Sequence, residues 1–274
     1  MDDRSECGSG SVSPALFGIG GAWRPVTTGE SGAFVYRSAD AGRFAKCVPA
    51  DGAADLTAER DRIVWLDGQG VPGPRVLDWS DGEAGACLVT SAVRGTPADQ
   101  VSPEDLRGAW NRIADAVLRL HEVPVRTCPF RRNLDAMVAR ARDVVARDAV
   151  NPEFLPDEQQ HTPPTQLLAD VTREVPRRLH QEAADTVVCH GDLCLPNIVL
   201  DPRTLDVSGF VDLGRLGQAD RYADLALLLA NARETWADEV QARAADAAFA
   251  DRYGIALDHD RLSFYLRLDP LTWG

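Results

Sequence analysis

Lysine is almost absent from this chain. Of the 29 basic side chains in 274 residues, Lys46 is the only lysine and the rest are arginines. A chain that places arginine everywhere else keeps one lysine where a compact ammonium, rather than a planar fork, is needed. Basic charge as a whole is also scarce: 42 acidic side chains leave a formal charge of −13, which disfavours nucleic acid and anionic lipid as partners and favours a cationic one. The six cysteines show no C-x-x-C spacing, which argues against both a zinc site and a disulfide framework. Five scattered histidines are too few for the clustered ligands of a metal-dependent phosphohydrolase. No run approaches the roughly 18 apolar residues of a membrane span. The opening Met1-Asp-Asp-Arg-Ser-Glu-Cys-Gly-Ser-Gly has no basic and apolar leader, so a cytoplasmic location is expected. Internal repeats and long low-complexity segments are likewise missing.

A hydrophobic content of 45% supports a substantial core in one large domain or two lobes sharing a cleft. About fifteen residues rich in Ser, Gly and acid form an expected mobile lead-in, with structure beginning near Trp23. Gly32–Arg37 and Arg43–Val48 flank a Ser-Ala-Asp-Ala-Gly turn and read as an antiparallel hairpin. A helix over 55–66 stops at Gly68, and Arg75–Trp79 with Ala86–Thr90 complete a five-stranded small lobe, expected at 1–95. The remainder, 96–274, reads as mainly helical. Ser102-Pro103-Glu104-Asp105 is a helix start, and Leu106, Trp110, Ile113, Val117 and Leu120 follow as a buried stripe. Further helices are expected near 133–148, 165–181, 220–234, 237–253 and 259–267, with a Pro-rich loop over 151–164 and Gly254 as a stop.

The chemistry is carried by His190-Gly191-Asp192-Leu193-Cys194-Leu195-Pro196-Asn197 and, further on, Asp212-Leu213-Gly214. Apolar segments Asp185–Cys189, Ile198–Leu200 and Val207–Val211 read as short strands around these loops. Protein kinases set a catalytic Asp two residues after a His, a metal-binding Asn five residues beyond it, and a second metal-binding Asp in a D-F-G turn. The same order recurs here and points to phosphoryl transfer. In its loose transition state the nucleophile needs orientation more than prior deprotonation, so Asp192 can hold an alcohol and accept its proton late. Magnesium prefers hard oxygens and keeps waters, so Asn197, Asp212 and the ATP phosphates suffice to hold it. His190 reads as a brace for the loop.

The nucleotide elements stand in kinase order. Thr28-Gly29-Glu30-Ser31-Gly32 precedes the hairpin, where small residues let backbone N–H groups approach phosphate. Lys46 occupies the second hairpin strand and Glu59 the next helix, the pairing by which kinases hold their phosphate lysine.

Together these motifs resemble the aminoglycoside phosphotransferase family, a kinase-like fold that uses H-G-D-x-x-x-x-N and D-x-G. The resemblance runs through nearly the whole chain, including Glu59-Arg-Asp-Arg-Ile-Val-Trp-Leu, Asp212–Ala226 and Leu266–Gly274, and within the family is strongest toward the streptomycin 3''-phosphotransferases. It implies an α+β, two-lobed, protein-kinase-like fold, with an N-terminal five-stranded antiparallel nucleotide-binding lobe and a larger, mainly helical C-terminal catalytic and substrate-binding lobe. It implies phosphate contacts at Ser31 and Gly32, a phosphate lysine at Lys46 with Glu59 as partner, adenine contacts to backbone near Ser91 and Val93, Asp192 as base, and Asn197 and Asp212 as magnesium ligands. Arg215, Glu234 and Asp269 become candidate substrate contacts. The C-terminal Asp269-Pro270-Leu271 departs from the paired acids common in the wider family. The implied reaction is ATP-dependent phosphorylation of an aminoglycoside, the 3''-hydroxyl of streptomycin, which inactivates the antibiotic. Two guanidinium groups on that substrate suit an acidic site, because carboxylate–guanidinium pairs can be bidentate and planar. The alternatives are the same fold acting on another aminoglycoside or on a small alcohol such as choline or homoserine, and a nucleotide-binding pseudokinase. No oligomer is implied.

Overall fold

The computed structural model describes residues 12–26 and 33–274. The described residues fall into two compact units, those within 1–67 and 74–92 and those within 68–73 and 93–274.

The first unit is built on strands β1 (Trp23–Val26), β2 (Phe34–Ser38), β3 (Arg43–Val48), β4 (Val76–Gly82) and β5 (Gly85–Ser91) and helix α1 (Ala53–Asp67). The five strands are ordered β1-β2-β3-β5-β4, with every neighbouring pair antiparallel. The β2–β3 hairpin turns where expected: Ser38 Oγ donates to Asp40 and accepts from Arg43 N–H. Side chains alternate across a strand, so Ala45 and Cys47 on β3 share a face and enter a core with Val12, Ile19, Cys87 and Val89. Lys46, between them, points to the opposite face. Val12 and Pro14 are buried and Tyr36 donates to the Val12 carbonyl, so ordered packing starts inside the expected lead-in rather than at Trp23. Apolar side chains explain it, since burying each removes surface from water at about 25 cal/mol per Å². Cys47 and Cys87 are buried free thiols directly opposed across β3–β5 and fill the sheet core as small apolar groups.

The second unit contains β6 (Thr96–Pro97), α2 (Pro103–His121), α3 (Leu134–Ala146), α4 (Pro164–Asp185), β7 (Thr186–Cys189), β8 (Ile198–Leu200), β9 (Val207–Phe210), β10 (Gly217–Asp220), α5 (Arg221–Arg233), α6 (Glu239–Tyr253) and α7 (His259–Leu268). Its strands form a three-stranded β6-β8-β9 sheet and a two-stranded β10-β7 ribbon. Helix α2 follows its sequence pattern. Ser102 caps it by accepting from Asp105 N–H, Pro103 fills the first turn, and Leu106, Trp110, Ile113, Val117 and Leu120 are all buried. Each such side chain stabilises the fold by about 1.5–3 kcal/mol relative to exposure. Trp110 crosses to α6, donating to the Ala245 carbonyl at 2.8 Å, and α6 ends at Gly254 in the left-handed region at φ 83°, a conformation glycine adopts without steric cost. The 151–164 segment contains two short 3₁₀ turns, Pro152–Phe154 and Asp157–Gln159. Two strands, β6 and β10, go beyond the sequence reading. Among the described residues no helix is long and apolar enough to cross a membrane.

Candidate active site

The short ribbon and sheet of the second unit carry the site. β7 leads into the 190–197 loop, β8 and β9 return the chain to Asp212, and β10 closes back onto β7 through Gly217↔Cys189 pairing. Asp192 and Asn197 meet. The Asn197 amide Nδ2 donates to the Asp192 carbonyl at 2.8 Å, to Asp192 Oδ2 at 3.0 Å and to Cys194 Sγ at 3.2 Å. These contacts fix the amide nitrogen against the loop and direct the carbonyl oxygen away from it. Asp212 is joined to the same centre through the backbone, because Val211 N–H donates to the Asn197 carbonyl at 3.0 Å. Asp212 itself adopts φ 58°, ψ 61°, a left-handed conformation that is uncommon outside glycine and characteristic of functional turns.

His190 is the brace that its motif suggested. Its ring is fully buried; Nε2 bonds to the Val211 carbonyl at 2.9 Å, and Nδ1 accepts from Asp192 N–H at 3.2 Å, so it links the loop to the strand end before Asp212. Gly191 sits at φ +85°, and a Cβ there would lie 2.1 Å from the Arg215 carbonyl and 2.7 Å from Arg132 Cδ. Only glycine fits both the conformation and the space.

Burial raises the Asp192 pKa above the ordinary carboxylate value; the Asp269 and Asp212 charges add to this, while His190 and Arg215 oppose it. A carboxylate so placed is a stronger proton acceptor than one in water. Arg215 is pushed down to about 10, first by burial and then by the neighbouring Arg132 charge. Its guanidinium donates to Thr272 Oγ1 and the Thr272 carbonyl at 2.9 and 3.0 Å and lies 3.3 Å from the Trp273 ring centroid.

Sequence motifs did not reveal the residues beneath the loop. Asp224, on α5 and fully buried, accepts from His190 N–H at 2.6 Å, from Gly191 N–H at 2.8 Å and bonds to His121 Nε2 at 3.2 Å. His121 at the end of α2 is held in turn by Tyr253 Oη at 2.7 Å. Asn231, also on α5, accepts from Leu195 N–H at 2.9 Å. Glu234 lies three residues further, exposed at the C-cap of α5. Asp269 is buried at 7% exposure, with Arg132 Nη2 at 2.8 Å and Trp273 Nε1 at 2.9 Å.

In the first unit Lys46 Nζ lies 2.8 Å from Glu59 Oε2, and Glu59 is buried on α1. Ser91 is the last residue of β5; its N–H donates to the Arg75 carbonyl and its Oγ accepts from Arg75 N–H, both at 2.9 Å. Val93 follows outside any strand. Ser31 and Gly32 lie outside the described residues.

The donor set fits magnesium: an amide oxygen and a carboxylate, hard ligands on two loops tied by a backbone hydrogen bond. Asn197 and Asp212 would hold the ion. A cavity of the second unit, about 330 Å³ and lined by Pro72, Arg119, Glu122, Val123 and Phe210 among others, includes none of these groups.

The model of the phosphotransferase enzyme family matches residues 22–265. The chain belongs to that family. Among curated members, the streptomycin 3''-kinase of Streptomyces griseus is 73% identical over 267 residues, spanning 97% of this chain and 98% of the relative. An aminoglycoside 3'-phosphotransferase of Streptomyces fradiae is 42% identical, spanning 90% and 94%. The family member APH(3'')-Id of Streptomyces rimosus, solved in complex with ADP and streptomycin, superposes with a TM-score of 0.90 at 64% identity over 95% of this chain and 97% of that one. A choline/ethanolamine kinase family protein of Mesorhizobium loti, at 22% identity and a TM-score of 0.57, shares the kinase-like fold alone. The fold is therefore the α+β phosphotransferase fold that the motifs implied.

Proposed function

We propose that this protein transfers the terminal phosphoryl group of ATP to the 3''-hydroxyl of streptomycin, inactivating the antibiotic in the cytoplasm. The observation that carries the reading is the Asp192–Asn197 pair, set at 3.0 Å on a loop anchored from below by Asp224, in a chain 73% identical to a streptomycin 3''-kinase.

Asp192 is the group proposed to receive the substrate hydroxyl. Its raised pKa supports proton acceptance, and its fixed place supports in-line orientation, the main requirement of a loose phosphoryl-transfer transition state. Asn197 Nδ2 restrains the Asp192 carboxylate and leaves the amide oxygen for the metal. Asn197 and Asp212 would hold magnesium, which neutralises phosphate charge when bound. Lys46, oriented by Glu59, is the proposed cation for the nucleotide phosphates, with Ser31 and Gly32 contributing backbone donors. For adenine, the Ser91 N–H is already engaged, so the Ser91 carbonyl and the Val93 backbone are the proposed contacts. Glu234, an exposed acid at the end of the helix that holds Leu195, is the proposed acceptor for a cationic group of the substrate, and Arg215 contributes beside the loop. The first unit is accordingly the nucleotide-binding lobe, and the second the catalytic and substrate-binding lobe.

Incubation with magnesium, ATP and a panel of aminoglycosides, read by intact mass, tests the proposal. Streptomycin gaining one phosphoryl group, with kanamycin-type substrates unchanged, is the expected result; the reverse selectivity would refute it.

A further inference from the structure

Asp269 was expected, by resemblance, to grip the substrate. Its surroundings assign it other work. The Oδ1 atom accepts from Arg132 Nη2 at 2.8 Å with Arg215 Nη1 at 3.7 Å, and Oδ2 accepts from Trp273 Nε1 at 2.9 Å. Bidentate capture of a substrate guanidinium requires both oxygens on one edge, and here each already answers to a different protein donor. The two arginines are also the walls of Gly191: Arg132 Cδ on one side and the Arg215 carbonyl on the other would both collide with a Cβ at that position. Trp273 closes the set, giving its N–H to Asp269 while its ring lies 3.3 Å below the Arg215 guanidinium. Without the carboxylate, two half-buried guanidiniums beside the loop would lose the counter-charge they share and repel each other.

We propose that Asp269, with Trp273, is a positioning residue that spaces Arg132 and Arg215 around Gly191 and thereby holds Asp192 in place, and that it does not contact the substrate. The proposal rests on the reading of Asp192 as the group that orients the acceptor hydroxyl.

The test compares Asp269→Asn and Trp273→Phe with wild type in two reactions: phosphorylation of streptomycin, and ATP hydrolysis with water as the only acceptor. A positioning role lowers kcat by about tenfold or more in Asp269→Asn, keeps the streptomycin KM within about threefold, and reduces acceptor-free hydrolysis in proportion. Trp273→Phe keeps the ring over Arg215 but loses the N–H, so it shows the same pattern more weakly and carries the test should Asp269→Asn fail to fold. A streptomycin KM raised by about tenfold with kcat and acceptor-free hydrolysis unchanged would mean a substrate contact and overturn the proposal, as would wild-type behaviour of both variants. Loss of streptomycin phosphorylation by the wild-type enzyme itself would instead refute the functional reading, while the hydrolysis comparison would still report on positioning.

Discussion

Replacing Asp224 with Asn is the sharpest probe of how the catalytic loop is held. The carboxylate is fully buried and receives three bonds, from His190 N–H at 2.6 Å, Gly191 N–H at 2.8 Å and His121 at 3.2 Å. Each hydrogen bond to a charged group is worth about 1.5–3 kcal/mol net. An amide of the same shape keeps one acceptor but turns an NH₂ toward a backbone N–H, so one favourable contact becomes a clash of donors and one buried N–H loses its partner. The total expected loss is about 3–5 kcal/mol, a large share of the roughly 5–15 kcal/mol that stabilises a domain. Because both backbone donors belong to the His190-Gly191 step just before Asp192, the loop should shift as well, and a misplacement of about 1 Å costs about 10²-fold in turnover. Urea unfolding gives the first quantity, and kcat measured well below the variant's unfolding midpoint gives the second. An Asp224→Asn enzyme within about 1 kcal/mol and about threefold of wild type would refute the reasoning.

Other outcomes follow from the same geometry. Burial alone would raise the Asp224 pKa, but the His121 hydrogen bond, the nearby His121 and His190 rings and the Gly191 N–H outweigh it and hold the group below its ordinary value. A folded pKa lowered in this way contributes stability above the unfolded value of about 3.9 and loses it as pH falls through the folded value, so urea midpoints should drop more steeply in acid for wild type than for Asp224→Asn. Gly191→Ala must move the Arg215 carbonyl, which would stand 2.1 Å from the new Cβ at φ +85°; kcat should fall by about 10²-fold or more, and a kinetically normal variant would show that the loop yields freely. Glu234→Gln should raise the streptomycin KM by several-fold, on the order of the 1 kcal/mol or so of an exposed ion pair, with the ATP KM unchanged; an equal rise in both would remove it from the substrate.

The Asp192–Asn197 and Lys46–Glu59 contacts of the candidate site were legible in the sequence because each pair is close along the chain. Asp192 and Asn197 lie five residues apart and Lys46 and Glu59 thirteen, so strand alternation and one helix are enough to place each pair. The α2 stripe and its Ser102 cap were legible for the same reason. What supports the loop was not. Asp224 and His121 are separated by 103 residues, and nothing in the type or spacing of either marks it out among the 42 acids and five histidines until the topology brings α2 and α5 under the loop. The strand β10, Gly217-Gln-Ala-Asp220, has no apolar alternation and pairs only because β7 presents an open edge beside it; β6 is two residues long and includes a proline. For Asp269, resemblance and local contacts point to different uses. A carboxylate near the C-terminus can be read as a substrate ligand from position alone, whereas its contacts with Arg132 and Trp273 support the positioning role proposed above.

The most direct measurement of the central claim is the site and rate of phosphate transfer to streptomycin by wild type and Asp192→Asn, with the product position read by phosphorus–proton correlation spectroscopy. The account predicts phosphate on the 3'' oxygen, with turnover reduced by about 10²-fold or more in the variant. Phosphate on another oxygen, or turnover in Asp192→Asn within about threefold of wild type, would contradict it.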